Sequence, residues 1–398
     1  MSNAPKRLPR AVWWFGATSF ANDFASEIVY PLLPAFVTST LGGGAFALGL
    51  LDGLADATAA GFKLLSGYLA ERPRLRGPLV VGGYALAAIV RPLVAMAGAV
   101  WHVVALRATD RLGKGLRTAP RDVMIAEAAP AELRGRAFGL HRGADHAGAV
   151  LGPLAATALL AIGLSVRQVF WVAAVPGALA VVLAWMAVKA VASGESRVAS
   201  GGGSEAGFTT ATSTASGFGP LLAAVALAAF LRAPETLLIL RAQDLGVPLA
   251  AVPVLWAGLH VVRSAASYPG GALSDRWGPR RTLATGWLAY AALAWAFAAA
   301  QTSAQAIGVF LAFGIVAALT ESPERALVAS LTGGAKRGRA FGWYHGALSA
   351  VALPGAALFG WLYQSAGAST AFLVSAATAI LAVAGLALAW RTRDRSPS

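Results

Sequence analysis

A run of charged side chains between residues 107 and 121, RATDRLGKGLRTAPR, has the residue types and spacing to do chemistry. Its charged members are Arg107, Asp110, Arg111, Lys114, Arg117 and Arg121. They recur every three or four residues, so on a helix they share one face roughly 21 Å long, most of a bilayer's hydrocarbon depth. Both flanks are apolar, and a charge facing lipid at the bilayer centre would cost at least about 2.5–3.5 kcal/mol. The face must therefore contact other helices or water, which predicts a polar path through a membrane protein.

The excess of basic groups on this face favours binding of an anionic or carboxylate-bearing small molecule. Arg107 is the leading candidate because it lies toward the outer part of the helix. Arg117, Arg121 and Asp122 approach the other end and are assigned to a gate. Fixed ion pairing that only holds the helices together is the alternative. The predicted substrate-binding residues are Arg107, Asp110, Arg111, Lys114, Arg142 and Tyr30.

Carboxylates on neighbouring predicted helices form a second set. Asp23 and Glu27 are four residues apart, as are Asp52 and Asp56, so each pair shares a helical face. Burial favours the neutral form of a carboxylic acid and a nearby arginine favours the charged form, so a movement that breaks such a pair can bind or release a proton. Structural pairing with the basic helix is again the alternative. The predicted proton-coupling residues are Asp23, Glu27, Asp52, Asp56, Asp145 and Glu235.

Several other chemistries find no support in the residues. The chain has no cysteine, and His141 with Asp145 offers two metal ligands at helical spacing without a clear third, so we predict no metal site. A phosphate-binding loop of the G-x-x-x-x-G-K-[ST] type is absent, which argues against ATP hydrolysis. We expect no cofactor. A membrane-embedded enzyme remains the alternative from another class, although we find no dedicated nucleophile and base.

The composition predicts an all-α membrane protein. Of 398 residues, 57% are hydrophobic and 13% are charged, against about 25% charged in ordinary soluble domains. Apolar stretches of about 20 residues recur along the whole length. We predict twelve transmembrane helices near 11–38, 44–70, 77–98, 101–127, 137–163, 168–190, 218–240, 247–273, 282–300, 304–331, 338–365 and 369–390.

The distribution of basic residues sets the orientation. If the amino terminus is cytoplasmic, the segments on its side hold eighteen Lys or Arg, while the opposite loops hold only Arg167 and Arg241. This asymmetry follows the positive-inside rule and places both termini in the cytoplasm, with the chain in the cell (inner) membrane. The net charge of +14 therefore reflects topology and not binding to nucleic acid.

An internal repeat indicates two copies of one six-helix unit. The sequence RGRAFG occurs at 134–139 and again at 337–342, and GYLAER at 67–72 aligns with GALSDR at 271–276. Parallel repeats of this kind build the two halves of many secondary transporters. We predict an amino-terminal bundle at 1–190, a flexible cytoplasmic linker at 191–217 and a carboxyl-terminal bundle at 218–398.

At this point the chain resembles the major facilitator superfamily over its full length. Residues 271–281, GALSDRWGPRR, look like its G-x-x-x-D-R-x-G-x-R-R loop, the copy at 67–76 is degenerate, and Arg107 matches a fourth-helix arginine. Residues 110–122, DRLGKGLRTAPRD, resemble the corresponding sequence of a prokaryotic subgroup of these permeases. Superfamily members place helices 3, 6, 9 and 12 outside, and here helices 9 and 12 carry no embedded charge, although helix 3 carries Arg91.

The resemblance implies a cytoplasmic gate that closes when the cavity faces outward. Its carboxylates are expected to form charge-assisted hydrogen bonds with neighbouring helix termini or with the RGR segments at 134–136 and 337–339. The residues assigned to this gate are Gly67, Glu71, Arg72, Gly271, Asp275, Arg276, Gly278, Arg280, Arg117, Arg121, Asp122, Arg134, Arg136, Arg337 and Arg339.

The sequence thus predicts a secondary active transporter that alternates access and is driven by protons. We expect efflux of a small amphiphilic or anionic compound, and uptake of an organic anion or a chelated metal is the alternative. The expected partners are the lipid bilayer, the substrate and protons, and we expect a monomer. The residues do not identify the substrate.

Overall fold

The computed structural model describes residues 7–43, 45–193, 217–248, 251–332 and 336–394, and within these ranges the regular secondary structure is helical. Twelve long helical segments agree with the twelve predicted from the sequence to within several residues at each end. We number them α1 (Arg10–Val29), α2 (Ala45–Leu69), α3 (Pro73–Leu93), α4 (Val100–Ala128), α5 (Arg134–Ala161), α6 (Val166–Ala192), α7 (Phe218–Asp244), α8 (Val252–Trp277), α9 (Pro279–Ala299), α10 (Ser303–Leu331), α11 (Arg337–Ala366) and α12 (Ala368–Asp394).

Within the described ranges, eight of these helices are long and apolar enough to cross a membrane by composition alone. They are α3, α5, α6, α7, α9, α10, α11 and α12. Helix α4 is long enough but carries the charged stripe, which lowers its mean hydropathy. Charged or polar faces of this kind are stable in a membrane only when other helices cover them.

Several helices are irregular for identifiable reasons. Beyond Val29, α1 continues through a 3₁₀ turn at Tyr30–Leu32 and a π segment at Phe36–Thr40, because prolines cannot donate the usual backbone hydrogen bonds. Helix α7 is interrupted between Phe230 and Glu235. There the Tyr290 hydroxyl accepts a hydrogen bond from the Ala233 amide at 2.7 Å, so a side chain of α9 satisfies the broken backbone.

The helices form two six-helix bundles that meet at one end of the molecule. We call this the basic end, because the loops around Arg72, Arg134 and Arg337 lie there. One apolar core at this end contains residues of both bundles, including Phe138 and Phe341, whose rings are 6.2 Å apart. These two phenylalanines occupy equivalent positions in the repeat. Toward the opposite end each bundle has a core of its own.

The described contacts between the bundles are made mainly by α5 with α8 and by α2 with α11. These pairs are related by the sequence repeat, so the interface has approximate two-fold symmetry. Residues 194–216, which make up most of the predicted linker, lie outside the described residues.

Candidate transport path and its closure

Glycines allow α4 to bury its charged stripe against two neighbouring helices. A Cβ on Gly113 would lie 2.7 Å from the carbonyl oxygen of Gly83 on α3, and a Cβ on Gly115 would lie 2.5 Å from Phe62 Cβ on α2. Such short approaches exclude any larger residue. The stripe therefore faces other helices, as its spacing predicts. Of its members, Lys114 remains exposed, and its strongest electrostatic attraction is to Asp23.

Asp110 is the centre of an ion-pair network inside the amino-terminal bundle. It is 3% exposed and lies 2.8 Å from Arg91 Nε, 3.1 Å from Arg111 Nε and 3.5 Å from Arg107 Nη1. Arg91 also donates to the Asn22 carbonyl oxygen at 2.8 Å. Asp110 thus joins α4 to α3, and Arg91 extends the link to α1. Asp110 was predicted to bind substrate, and here its partners are arginines of α3 and α4. Arg91 of the peripheral helix α3 reaches into the bundle interior to pair with it.

Arg107 borders a small cavity between α1, α3 and α4. Its guanidinium lies 4.1 Å from the centroid of the Tyr30 ring, so two of the predicted substrate-binding residues are in contact. Within the described residues, Arg107 Nε makes no hydrogen bond although it is buried. The network holds Arg91, Arg107 and Arg111 against two acids, Asp110 and the nearby Glu27, so it keeps an excess of positive charge that attracts anions.

Arg117 and Asp122, both assigned to the gate, have different surroundings. Arg117 donates to the Gly83 carbonyl oxygen at 3.1 Å and packs over the Tyr84 ring, so it ties α4 to α3 within one bundle. Asp122 is fully buried and contacts the other bundle through His345 Nε2 at 2.8 Å. Arg121 binds Asp122 at 2.8 Å and Arg325 lies 3.6 Å from it.

Asp23 on α1 and Asp145 on α5 lie within hydrogen-bonding reach of each other. Gly148 allows this approach, because a Cβ there would lie 2.5 Å from the Phe20 carbonyl oxygen on α1. Ser19 donates to Asp145 at 2.7 Å. Two ionised carboxylates at such a distance repel, so the pair is suited to holding one proton between them.

Arg142 connects this carboxyl pair to the other bundle. Its guanidinium forms ion pairs both with Asp145, one turn away on α5, and with Glu321 on α10. Arg325 lies 4.0 Å from the same Glu321 carboxylate. Arg142, predicted as a substrate-binding residue, thus pairs with acids of both bundles, and it also lines a cavity at the bundle interface.

The other predicted proton-coupling residues lie apart from this pair. Glu27 is half-buried on α1, where its strongest attraction is to Arg111. Asp56 is exposed, and Glu235 forms an ion pair with Arg263 on α8. The side chain of Asp52 lies outside the described residues.

The basic end is closed by two ion pairs that the repeat relates to each other. Asp275 on α8 accepts hydrogen bonds from the Gly135 amide at 2.7 Å and from Arg136 Nε at 2.9 Å on α5. Its counterpart Glu71, just beyond the end of α2, accepts from Arg339 Nη2 on α11 at 2.9 Å. Each carboxylate thus contacts the RGR segment of the opposite bundle.

Glycines bring the helices of this closure into direct backbone contact. A Cβ on Gly67 would lie 2.5 Å from Gly342 Cα, and a Cβ on Gly271 would overlap the carbonyl oxygen of Gly135. Helices pack this closely only where both partners lack side chains.

The remaining gate residues lie around the closure with varied partners. Arg134 Nε donates to the Ala126 carbonyl oxygen at 3.1 Å, and Arg337 pairs at 3.6 Å with Glu127, a residue the sequence analysis did not select. Gly278 adopts φ 85° in the turn between α8 and α9, which glycine permits without strain. Arg72, Arg276 and Arg280 are exposed at the same end.

A cavity of about 230 Å³ lies between α5 of one bundle and α7, α10 and α11 of the other. Its charged lining includes Arg232 and Glu324, which the sequence analysis did not assign to binding. Arg232 belongs to no repeated motif. Glu324 lies in SPER at 322–325, which aligns with APRD at 119–122, but it stands where the first copy has Arg121, so the repeat gives this position no common charge. Within the described residues, no cluster of three or more potential metal ligands is found.

Two repeated bundles, a charged interior and a closure at one end define this protein as a membrane transporter. The family model of the Major Facilitator Superfamily matches residues 15–262 and 235–398. The chain belongs to this superfamily.

Relatives and solved structures agree with this assignment. An uncharacterised transporter of major facilitator type from Methanocaldococcus jannaschii is 30% identical over 384 residues, 94% of each chain. An uncharacterised protein of Mycobacterium tuberculosis is 30% identical over 378 residues, covering 89% of this chain and 87% of that protein. The multidrug resistance protein MdtH of Yersinia pestis is 32% identical over 133 residues, 33% of each chain.

Two solved structures share the fold. The human organic anion transporter MFSD10 superposes with a TM-score of 0.72 at 14% identity, covering 95% of this chain and 99% of that one. The proton:xylose symporter XylE superposes with a TM-score of 0.71 at 17% identity, covering 94% and 93%. At this level of identity the likeness concerns the fold alone. Members of the superfamily are transporters and not enzymes, so this chain is a multi-pass membrane transporter of a small molecule.

Proposed function

We propose that this transporter is driven by protons and exports a small amphiphilic or anionic compound. The observation that carries the proposal is the Asp23–Asp145 carboxyl pair, which contacts an arginine shared with the other bundle. Carboxylates inside a membrane protein are costly and mark proton paths in many transporters. Of the six carboxylates selected from the sequence, we choose these two because of their mutual contact.

The shared Arg142 gives a route from bundle movement to proton transfer. While the basic end is closed, Glu321 competes with Asp145 for its charge. Opening of that end separates α5 from α10, so Arg142 is left to the carboxyl pair and favours its charged form. The pair then releases its proton on the basic side. When the basic end closes again, Glu321 regains its ion pair with Arg142. The Asp23–Asp145 pair then takes up a proton from the opposite side of the membrane.

The proposed orientation places the basic end and both termini in the cytoplasm, in the inner membrane, because basic loops remain on that side. The structure then represents an outward-facing state, and proton flow is inward. Inward proton flow drives export when substrate moves in the opposite direction. The partial likeness to a multidrug resistance protein also supports efflux. Uptake of an organic anion or a chelated metal is the alternative. For either direction of transport, we propose that the monomer is the working unit.

Flux measurements in proteoliposomes test the proposal. The purified chain is reconstituted, a pH gradient is imposed, and the movement of fluorescein and ethidium is followed as an organic anion and a lipophilic cation. We expect at least one probe to move against its gradient and to stop when a protonophore is added. Flux that never exceeds equilibration, with or without the protonophore, would instead indicate a passive pathway.

Arg107→Ala tests anion recognition in the cavity beside Tyr30. A ligand at 100 times its dissociation constant stabilises a protein by about 2.7 kcal/mol, which a thermal-shift measurement detects. We expect fluorescein to raise the melting temperature of the wild type and not that of Arg107→Ala. Arg10→Ala, at the exposed start of α1, is the matched control and should keep the shift. An unchanged shift in Arg107→Ala would leave Arg107 with a structural role.

Asp275→Asn tests the ion pair at the closed basic end. The amide loses the charge-assisted hydrogen bond to Arg136, an interaction of about 1.5–3 kcal/mol, so we expect turnover to fall about tenfold while probe binding changes little. Glu71→Gln is the internal comparison. Both members of the second ion pair are more exposed: Glu71 is 23% exposed against 5% for Asp275, and Arg339 is 46% exposed against 29% for Arg136. Exposed ion pairs contribute less, so Glu71→Gln should have the smaller effect. Equal effects of the two variants would contradict this account of the closure.

A further inference from the structure

The cavity at the bundle interface is lined by five charged side chains and by apolar ones. Arg142, Glu321 and Arg325 are the ion-paired residues described above, whereas Arg232 and Glu324 belong to no ion pair among the described residues. Arg232 projects from α7 and Glu324 from α10, while Val225, Trp287 and Leu348 contribute apolar surface. Its volume is about 230 Å³, below the range of about 300–1,000 Å³ that is usual for drug-sized ligands, so it suits a smaller molecule. The cavity is separate from the one beside Arg107, which lies within the amino-terminal bundle.

Arg232 is held in place without a charged partner. Its Nη2 donates to Thr320 Oγ1 at 3.3 Å, and its guanidinium lies 5.4 Å from the centroid of the Tyr290 ring. It forms no ion pair with any residue that the structure describes. The Thr320 hydroxyl and the Tyr290 ring orient the Arg232 side chain without neutralising its charge. The guanidinium therefore remains able to pair with an anionic group of a ligand.

Glu324 is the acidic counterpart on the same cavity. It is 7% exposed, and its Oε2 accepts a hydrogen bond from the Tyr344 hydroxyl at 2.7 Å. Among the described side chains no cation reaches it at ion-pairing distance, because its neighbour Arg325 turns instead toward Asp122 and Glu321. One carboxylate oxygen of Glu324 therefore has no described partner.

Arg232 and Glu324 thus border one cavity without forming an ion pair with each other. Arg232 exerts the strongest electrostatic attraction on Glu324, but from beyond ion-pairing distance. Charge-assisted hydrogen bonds form only at close contact, so a ligand between the two side chains can make one to each of them. A molecule that carries both charges satisfies them together, and its apolar body can pack on Trp287.

We propose that this cavity binds a small amphiphilic zwitterion, with its carboxylate on Arg232 and its ammonium group on Glu324. The proposal rests on the transport function above and names the substrate class for it. It requires no pH gradient, since both contacts form at equilibrium. Failure of proton coupling would leave it intact, and its own failure would leave proton coupling intact.

Equilibrium binding to the purified full-length protein in detergent tests the two contacts separately. The probes form two matched sets that share a body and differ in charge. The aromatic set is phenylalanine, 2-phenylethylamine and 3-phenylpropionate, and the aliphatic set is leucine, 3-methylbutylamine and 4-methylpentanoate. In at least one set we expect the zwitterion to bind about tenfold or more tightly than either singly charged analogue, because each loses one charge-assisted contact.

Two substitutions assign the contacts to their residues. Arg232→Ala should weaken the zwitterion and the carboxylate about tenfold and leave the amine unchanged, whereas Glu324→Gln should weaken the zwitterion and the amine and leave the carboxylate unchanged. Lys189→Ala on the peripheral helix α6 removes a cation distant from the cavity and should change none of them. Circular dichroism and size exclusion confirm that each variant is folded. If neither set prefers its zwitterion, or if both substitutions affect the three probes alike, the proposal is wrong.

Discussion

Replacing Gly271 with leucine is expected to abolish transport by preventing closure of the basic end. A Cβ at this position already overlaps the carbonyl oxygen of Gly135, and a leucine side chain would force α8 away from α5. Overpacking of this kind costs typically 1–3 kcal/mol, and at about 3 kcal/mol the closed state would become about a hundredfold rarer. Because alternating access needs that state, flux of the transported probe should fall by a similar factor.

Gly82→Leu provides the matched control, since a Cβ at Gly82 on α3 has nothing within 4 Å. It should keep wild-type flux. The shift of conformation can be measured with a single cysteine, because the native chain has none. Ser349 lies 3.3 Å from Lys63 Nζ, farther from the basic end than the closure. A membrane-impermeant maleimide added on the basic side should therefore react faster with Ser349→Cys when Gly271 is leucine. An unchanged reaction rate together with lost flux would show that the substitution acts in another way.

The fold and the closure could be predicted from the sequence because both are repeated in it. Twelve apolar segments and two copies of RGRAFG indicated two related bundles. For the repeated acidic residues Asp275 and Glu71, these copies were one of two expected partners, the other being neighbouring helix termini. Each motif lies at a helix end, where the order of helices alone determines its neighbours, so no knowledge of side-chain packing was needed.

The interior could not be predicted to the same depth, because its contacts depend on how helices rotate and on which glycines allow them to approach. Arg91 lies on a helix expected at the periphery, yet it pairs with Asp110. Arg142 was interpreted as a substrate ligand, and only the three-dimensional arrangement shows that Glu321 shares it with Asp145. Helical periodicity assigns a residue to a face and not to a partner on another helix.

Replacing Asp145 with asparagine is expected to uncouple transport from protons, and Asp23→Asn should have the same effect. Each variant leaves one titratable carboxyl where the proposed mechanism uses two that share a proton. A pH difference of one unit corresponds to about 1.36 kcal/mol, enough for a tenfold accumulation with one proton per substrate. In both variants the accumulation ratio should fall to about one.

Exchange separates this loss of coupling from a loss of binding or movement. When labelled and unlabelled probe are present on opposite sides without a gradient, bundle movement alone exchanges them, so both variants should retain exchange close to the wild-type rate. Glu27→Gln and Glu235→Gln are the matched controls, because neither carboxylate belongs to the Asp23–Asp145 pair, and they should keep gradient-driven accumulation. Full accumulation by Asp145→Asn and Asp23→Asn would assign the pair to the structure of the α1–α5 contact, and the proton would then have to be carried by a carboxylate outside it.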